Sequence, residues 1–257
     1  MSNPYQDLID FWRNCPTEKH PYIASQDKSF IDEKQTSIFH SYKGYVESNS
    51  FGNNTDQTLH VGLLPVPYIG DLKKASVFVL MLNPGLSPTD YFGEYENIKF
   101  RQTHLQNLMQ ENKTDYPLHF LNPEFSWHGG FEYWHTKFGD IARCVTQAKR
   151  IDYTESLKFL SRNIACLELI PYHSRSFGAG SLIRKLQSVK IMQSYVKDYL
   201  LEKARRGEIT IIVTRSSKNW NLSKNKNVII YNNSEARSAH LTLQSSGGKA
   251  IAKQLGL

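Results

Sequence analysis

Ser76-Val77-Phe78-Val79-Leu80-Met81-Leu82, followed at once by Asn83-Pro84-Gly85, is the stretch that decides how this chain folds. Six apolar residues in a row, from Val77 to Leu82, show no polar alternation. The run is short and rich in β-formers, so it predicts a strand buried on both faces, which belongs in a parallel sheet covered by helices above and below. Asn83-Pro84-Gly85 then ends the strand. Proline fixes its own φ and pushes Asn83 towards an extended backbone. Gly85 permits either a positive φ or the close approach of a ligand. The Asn83 amide is thereby held rigidly at a strand tip, where it can hold a water or a base edge.

Three further runs read the same way: Ala165 to Ile170, Ile209 to Thr214, and Val228 to Tyr231. Helical spacing separates them. Phe138 to Lys149 and Tyr153 to Ile164 each carry one apolar face. Ser181 to Arg206 is the longest helical pattern, with Gly207 placed to cap it, and a last helix covers about Ser246 to Gln254. Alternating strands and helices predict an α/β fold with a central four-stranded, mostly parallel sheet flanked by helices. Upstream, residues 5–14 predict a helix that stops before Pro16. Residues 16–60 are polar and predict loops with at most short elements, such as Ser37 to Val46. Pro65 and Pro67 exclude a central strand over residues 63–70. The expected organisation is an N-terminal helix and loop-rich extension over residues 1–60, packed on an α/β domain over residues 61–257.

Of the 257 residues, 40% are hydrophobic and 21% charged, an ordinary globular balance with enough chain for a substantial core. No window approaches the ~18 apolar residues of a membrane span. The N-terminus lacks a signal-peptide pattern, so the expectation is a cytoplasmic protein without a membrane partner. The three cysteines, Cys15, Cys144 and Cys166, form no C-x-x-C, and Cys166 reads as a small core residue. His119, His128 and His135 lack metal-ligand spacing, so neither a metal nor another cofactor is expected. Lys and Arg exceed Asp and Glu by 31 to 24, a net charge of +7 that suits a polyanionic partner such as DNA without demanding one.

In parallel sheets ligands bind outside the carboxyl ends of the strands. Four polar segments occupy those positions: Asn83 to Pro88, Pro171 to Arg175, Arg215 to Trp220, and Asn232 to His240. Their convergence predicts a site for an anionic or nucleotide-like ligand, with Asn83, His173 and His240 in one pocket. The aromatic-rich segment from Tyr116 to His135 reads either as a hydrophobic cluster covering the sheet, the simpler reading, or as a platform for stacked bases. The absence of a P-loop and of a dinucleotide fingerprint argues against NTPases and dehydrogenases.

A strand followed by Asn83-Pro84-Gly85 resembles the first motif of the uracil-DNA glycosylase superfamily, in its mismatch-specific and single-strand-selective branches; Met81 stands where that motif has a glycine. The strand ending at Tyr231, followed by His240-Leu241-Thr242-Leu243-Gln244-Ser245 and a helix, is similar to the C-terminal motif, without its prolines. The resemblance spans about residues 61–257. It implies a three-layer fold and hydrolysis of the N-glycosidic bond of a flipped uracil or other modified base in DNA. Asn83 would position the attacking water, and His240 would stabilise the departing base anion. Pro84, Gly85, Tyr172 and His173 would line the base pocket, with Tyr91, Phe92 or Tyr95 stacking on the base. Arg175, Arg215, Lys218, Arg237, Thr242 and Ser245 would contact nucleic acid. Members that read uracil carry an asparagine just after the second strand; Ile170-Pro171-Tyr172-His173 stands there instead, so His173 with Arg175 would read a different base. Two other readings stay open: a nucleic-acid-binding module that keeps the fold without the chemistry, and a nucleotide or nucleoside hydrolase.

Overall fold

The computed structural model describes residues 3–111 and 113–257. Among them run seven strands: β1 (Thr36–Ser37), β2 (Leu59–His60), β3 (Tyr68–Ile69), β4 (Val77–Leu80), β5 (Ile164–Leu167), β6 (Thr210–Val213) and β7 (Val228–Ile230). The fold is α/β. The principal sheet has the order β3-β5-β4-β6-β7, with β4–β5, β4–β6 and β6–β7 parallel. Five strands therefore stand where the sequence predicts four. The fifth is β3, an edge strand only two residues long. It begins just after Pro67, which has no N–H to give a ladder, and this confines the pairing to the sheet's margin. A second, two-stranded parallel sheet, β1–β2, lies in the region read as loops.

The chain divides into two compact units, each assembled from separate stretches. One comprises Met1–Tyr68, Leu82–Glu111 and Glu168–Tyr195; the other comprises Ile69–Met81, Asn112–Leu167 and Val196–Leu257.

The second unit carries β4 to β7. Their register sets Val77 beside Ile164 and Thr210, and Val79 beside Cys166 and Ile212. Every residue of β4, β5 and β6 is buried, as continuous apolar runs require. The helices Tyr153–Asn163, Leu201–Arg205 and Ser246–Gln254 pack on β5, on β6, and on β6 with β7 respectively. The Trp220 indole N–H donates to the Met81 carbonyl at 2.9 Å, closing the end of β4. The helix expected from Phe138 starts earlier, at Gly129, where the His128 ring accepts from the Gly130 N–H at 2.9 Å. That start is legible only through the cap, because the first turns are aromatic rather than periodic. Leu118, His119, Phe120, Leu121, Phe125, His128 and Trp134 are buried, so this stretch covers the core.

In the first unit the helix Pro4–Arg13 buries Leu8, Ile9, Phe11 and Trp12 and packs on the helix Gln187–Ser194. The continuous helix expected over 181–206 is broken. A 3-10 turn at Ala179–Leu182 gives way to extended Leu186 (φ −63°, ψ 135°), then to Gln187–Ser194, a wide π turn at Tyr195–Leu200, and Leu201–Arg205. Gly207 follows with φ +79°, as a C-terminal cap requires. The buried Glu94 carboxylate is held by Arg101 at 2.7 Å and His104 at 2.8 Å, joining the helices Pro88–Glu96 and Ile98–Leu108.

Gly248 marks the tightest backbone approach in the second unit's last helix: a Cβ there would sit 1.9 Å from the Thr242 carbonyl oxygen. No flexible side chain can yield, so the loop carrying His240 would have to move. Gly248→Ala is expected to destabilise the protein by about 1–3 kcal/mol, read as a lowered urea midpoint with an unchanged slope.

Candidate functional site

The site in the first unit is built where the chain leaves β4 and β5. Pairing continues past both strands, with the Ile170 N–H donating to the Leu82 carbonyl at 2.8 Å. The following residues are then tied one to another. The Asn83 side-chain Nδ2 donates to the Pro84 carbonyl at 2.9 Å and to the Ser174 hydroxyl at 3.0 Å. A carbonyl can only accept, so these bonds settle which way the amide faces and consume both of its hydrogens. Oδ1 is left as an acceptor without a protein partner among the described residues. His173 Nδ1 lies 2.8 Å from the Gly85 carbonyl, so Nδ1 carries the proton and Nε2 of the neutral ring offers a lone pair.

Gly85 is exposed, its φ is not positive, and a Cβ would meet nothing within 4 Å. The turn therefore does not need glycine for its backbone. Of the two reasons the sequence suggests for Gly85, only close approach from outside remains. Asp90 is engaged as a helix cap, its Oδ2 accepting from the Ser87 N–H at 2.6 Å. Arg175 is exposed and braced, donating to the Leu86 carbonyl at 2.9 Å and, through Nε, to Asn54 Oδ1 at 2.9 Å.

Two of the aromatic residues assigned to the base pocket face inward. Tyr91 is buried and stacked on Tyr45, with ring centroids 4.2 Å apart. Tyr172 is buried, its hydroxyl donating to Asp27 at 2.8 Å and accepting from the Ala24 N–H at 3.2 Å. Phe92, 37% exposed and edge-on to Tyr42, is the ring presented to solvent.

Beneath His173 lies a polar chain that the sequence did not reveal. The His60 N–H donates to the His173 carbonyl at 2.9 Å. His60 Nδ1 is 3.0 Å from the Tyr91 hydroxyl, and Nε2 is 3.3 Å from Asp56. Asp56 accepts from the Thr58 N–H and hydroxyl at 2.9 and 2.7 Å. Burial pushes the His60 imidazole down to about 4, and the neighbouring Asp56 only partly offsets this. Burial, followed by the Asp27 charge, pushes the Cys15 thiol up to about 12, which makes it a poor nucleophile. Asn54, Asp27, Asp56 and His60 had no sequence signal, since their partners are distant in the chain; Ser174 lay in a predicted strand-tip segment, but its bond to Asn83 was not legible there.

The second unit holds the other predicted residues. A cleft of about 250 Å³ opens at the carboxyl ends of β6 and β7, with Arg215, Ser216, Lys218, Asn219, Tyr231 and Asn233 on its walls. Arg215 donates to the Arg237 carbonyl at 3.2 Å, while Lys218 and the Arg237 side chain are exposed. Lys137, absent from the sequence prediction, donates to the Ser238 carbonyl. Burial, and then Arg215, hold its ammonium below the usual lysine value. The His240 side chain is exposed, and its carbonyl accepts from the Tyr231 hydroxyl. Ser245 caps the last helix through the Gly248 N–H at 3.0 Å, and its hydroxyl donates to the Thr242 carbonyl at 2.8 Å, so both residues are tied into the loop. Among the described residues no cluster of three metal-binding side chains occurs, and no helix is long and apolar enough to cross a membrane.

Compared with known proteins, the chain matches no family model, no curated protein and no solved structure.

The depressed His60 gives the site a pH signature. The unfolded chain takes up this proton near the ordinary value of 6.5, the folded chain only near 4. Between those values the unfolded state binds more protons, so stability falls as pH drops from 6.5 to 4. His60 accounts for about 3 kcal/mol of that loss. Urea midpoints measured from pH 7 to 4 should fall less steeply in His60→Gln than in the wild type.

Proposed function

We propose that the chain is a DNA base glycosylase-like hydrolase, with Asn83 orienting the water that attacks the glycosidic carbon of a flipped, modified nucleotide. The observation that carries this reading is the locked Asn83 amide. Both of its hydrogens are spent on Pro84 and Ser174, which leaves Oδ1 as a fixed acceptor at a strand tip. Such an acceptor takes one hydrogen of a water and aims the oxygen lone pair at a substrate. Breaking a glycosidic bond produces an oxocarbenium-like sugar and a base anion. A water held beforehand in line for the sugar lowers the barrier by orientation, and flipping gives access to the bond.

His173 supports base reading rather than water activation. Its Nδ1–H is committed to Gly85, so Nε2 accepts from a base N–H when neutral and donates when protonated. The exposed face over Gly85 lets a planar ligand approach the backbone. Phe92 takes the stacking role in place of buried Tyr91. The resemblance assigns the departing base to His240, as a donor to its developing negative charge. Arg175, Arg215, Lys218 and Arg237 contact phosphates.

One observation favours the second reading, a DNA-binding module without the chemistry. Asp90, the nearest downstream carboxylate, is occupied in capping its helix and is not free to act as a general base beside Asn83. Both readings require DNA, and binding should weaken as salt rises because basic contacts release counterions. Fluorescence anisotropy across a salt series checks this; binding that ignores salt would favour a nucleotide hydrolase.

The readings separate in single-turnover kinetics on duplexes carrying uracil, hypoxanthine, a thymine mismatch or a hypermodified base. Asn83→Ala should lose most of the rate while DNA affinity holds, because the amide serves the transition state rather than the phosphates. His240→Ala should cost about 10²–10³ in rate, and the two losses should not add if both serve one step. Unaltered rates in both variants would leave the binding module as the function.

A further inference from the structure

No histidine spacing in the sequence matches a metal-ligand motif, yet two histidines twenty residues apart meet in the first unit. His20 Nδ1 and His40 Nδ1 face each other at 3.1 Å. The His20 ring is fixed from its far side, where Nε2 lies 2.7 Å from the Tyr95 hydroxyl oxygen. That oxygen is also 2.8 Å from the Phe39 carbonyl and 2.8 Å from the Gly62 carbonyl. Carbonyls only accept, so the single Tyr95 hydroxyl proton is committed to them. The Tyr95 oxygen must then accept from His20 Nε2–H. A neutral imidazole has one N–H, so His20 Nδ1 is an unprotonated lone pair aimed at His40.

Two arrangements place like nitrogens at this distance: an N–H···N hydrogen bond, or two ligands on one ion. The ring centres can be set against both. A straight hydrogen bond of this length would hold the centres roughly 5.4 Å apart. Two imidazoles bound side by side at about 2.1 Å from one ion bring their nitrogens to about 3.0–3.4 Å and their centres to about 4.6–5.3 Å. The His20 and His40 centres are 4.9 Å apart, with planes inclined at 66°. That separation lies within the range for two ligands on one ion and is shorter than a straight hydrogen bond gives. The hydrogen bond from His20 Nε2–H to Tyr95 is also the kind of outer contact that orients a ligating imidazole. Arg101 and Glu94 both act on His20, but with opposite signs, and they pair with each other at 2.7 Å.

We propose that His20 and His40 form a chelating pair for a divalent transition-metal ion, binding Cu(II) most tightly and Ni(II) and Zn(II) more weakly. The order follows from imidazole ligands and from a nitrogen–metal–nitrogen angle of about 95°, which suits tetragonal ions better than tetrahedral Zn(II). Among the described residues no third His, Cys, Asp or Glu joins the pair, so water completes the coordination. His40 is exposed and His20 partly so, which gives the ion a path in. The bound ion cross-links the segment before Pro21 to the segment before the Tyr42–Val46 helix. The proposal does not rest on the glycosylase reading.

The test uses the full chain without an affinity tag. With one equivalent of copper(II) chloride at pH 7, the electron paramagnetic resonance spectrum should show hyperfine coupling to two nitrogens. His20→Ala and His40→Ala should each lose that pattern and weaken nickel(II) binding in calorimetry at least tenfold. Tyr95→Phe, which leaves both ligands but frees the His20 ring, should weaken it about ten- to hundredfold. Nickel(II) should raise the melting temperature of the wild type and of neither histidine variant. Metal-free melting curves check folding; His40 is exposed, so His40→Ala decides the matter should His20→Ala fail to fold. A wild-type copper spectrum and nickel affinity retained by His40→Ala would overturn the proposal, as would the absence of nickel binding by the wild type.

Discussion

A buried carboxylate is the constraint on which the first unit's site depends. Asp27 has no exposed surface, accepting from the Tyr172 hydroxyl at 2.8 Å and from the Ser188 N–H at 3.0 Å. A charge held out of water is costly unless such donors compensate it, so the groups around Asp27 have little freedom to shift. Tyr172 is immobilised, and with it the peptides on either side. The Pro171 carbonyl accepts from Val66 and the His173 carbonyl from His60, each through a main-chain N–H. The His173 side chain is therefore presented by a segment clamped at three successive residues, and Ser174 follows in position to hold Asn83. The polar N-terminal stretch supplies Asp27, Asn54, Asp56 and His60, all of them part of the architecture that presents this site.

Rigidity of this kind suits orientation chemistry. Asn83 can hold a water only if its amide does not rotate, and two donor bonds prevent that. Glycine at position 85 contributes by having nothing above it, not by an unusual backbone. At the second unit's last helix, crowding rather than openness explains the two adjacent glycines. At Gly247 a Cβ would come within 2.3 Å of the Tyr231 hydroxyl, so the Gly247-Gly248 pair is demanded by close packing around the His240 loop. The same residue type thus serves opposite ends in the two units.

Apolar periodicity reports burial, and where burial alone governs, the expectations and the structure agree. The strands over Val77–Leu80, Ile164–Leu167, Thr210–Val213 and Val228–Ile230, and the helices Pro4–Arg13, Tyr153–Asn163 and Ser246–Gln254, lie where their patterns place them. Disagreement appears where local hydrogen bonds or tertiary packing compete with the pattern. The helix from Gly129 opens on a His128 cap ahead of its periodic residues. The pattern over 181–206 is interrupted by extended Leu186 and a π turn, although Leu182, Leu186, Val189, Tyr195, Val196 and Leu200 are still buried. Strand β3 exists only at the margin that Pro67 permits. Tyr91 and Phe92 are adjacent aromatics of similar sequence context, yet helix geometry buries one and exposes the other.

The sequence by itself determined the α/β class, the parallel strands, the polar strand tips and the Asn83-Pro84-Gly85 turn, because each of these follows from local periodicity and from the stereochemistry of proline. Only the tertiary structure decided that Ser174 locks Asn83, that Asp56 and Tyr91 flank His60, and that Tyr95 turns the His20 lone pair towards His40. Those pairings join residues up to 91 positions apart through single hydrogen bonds. A hydrogen bond has no periodic signature along a chain, and its partners are chosen by where the folded backbone brings donor and acceptor within about 3 Å.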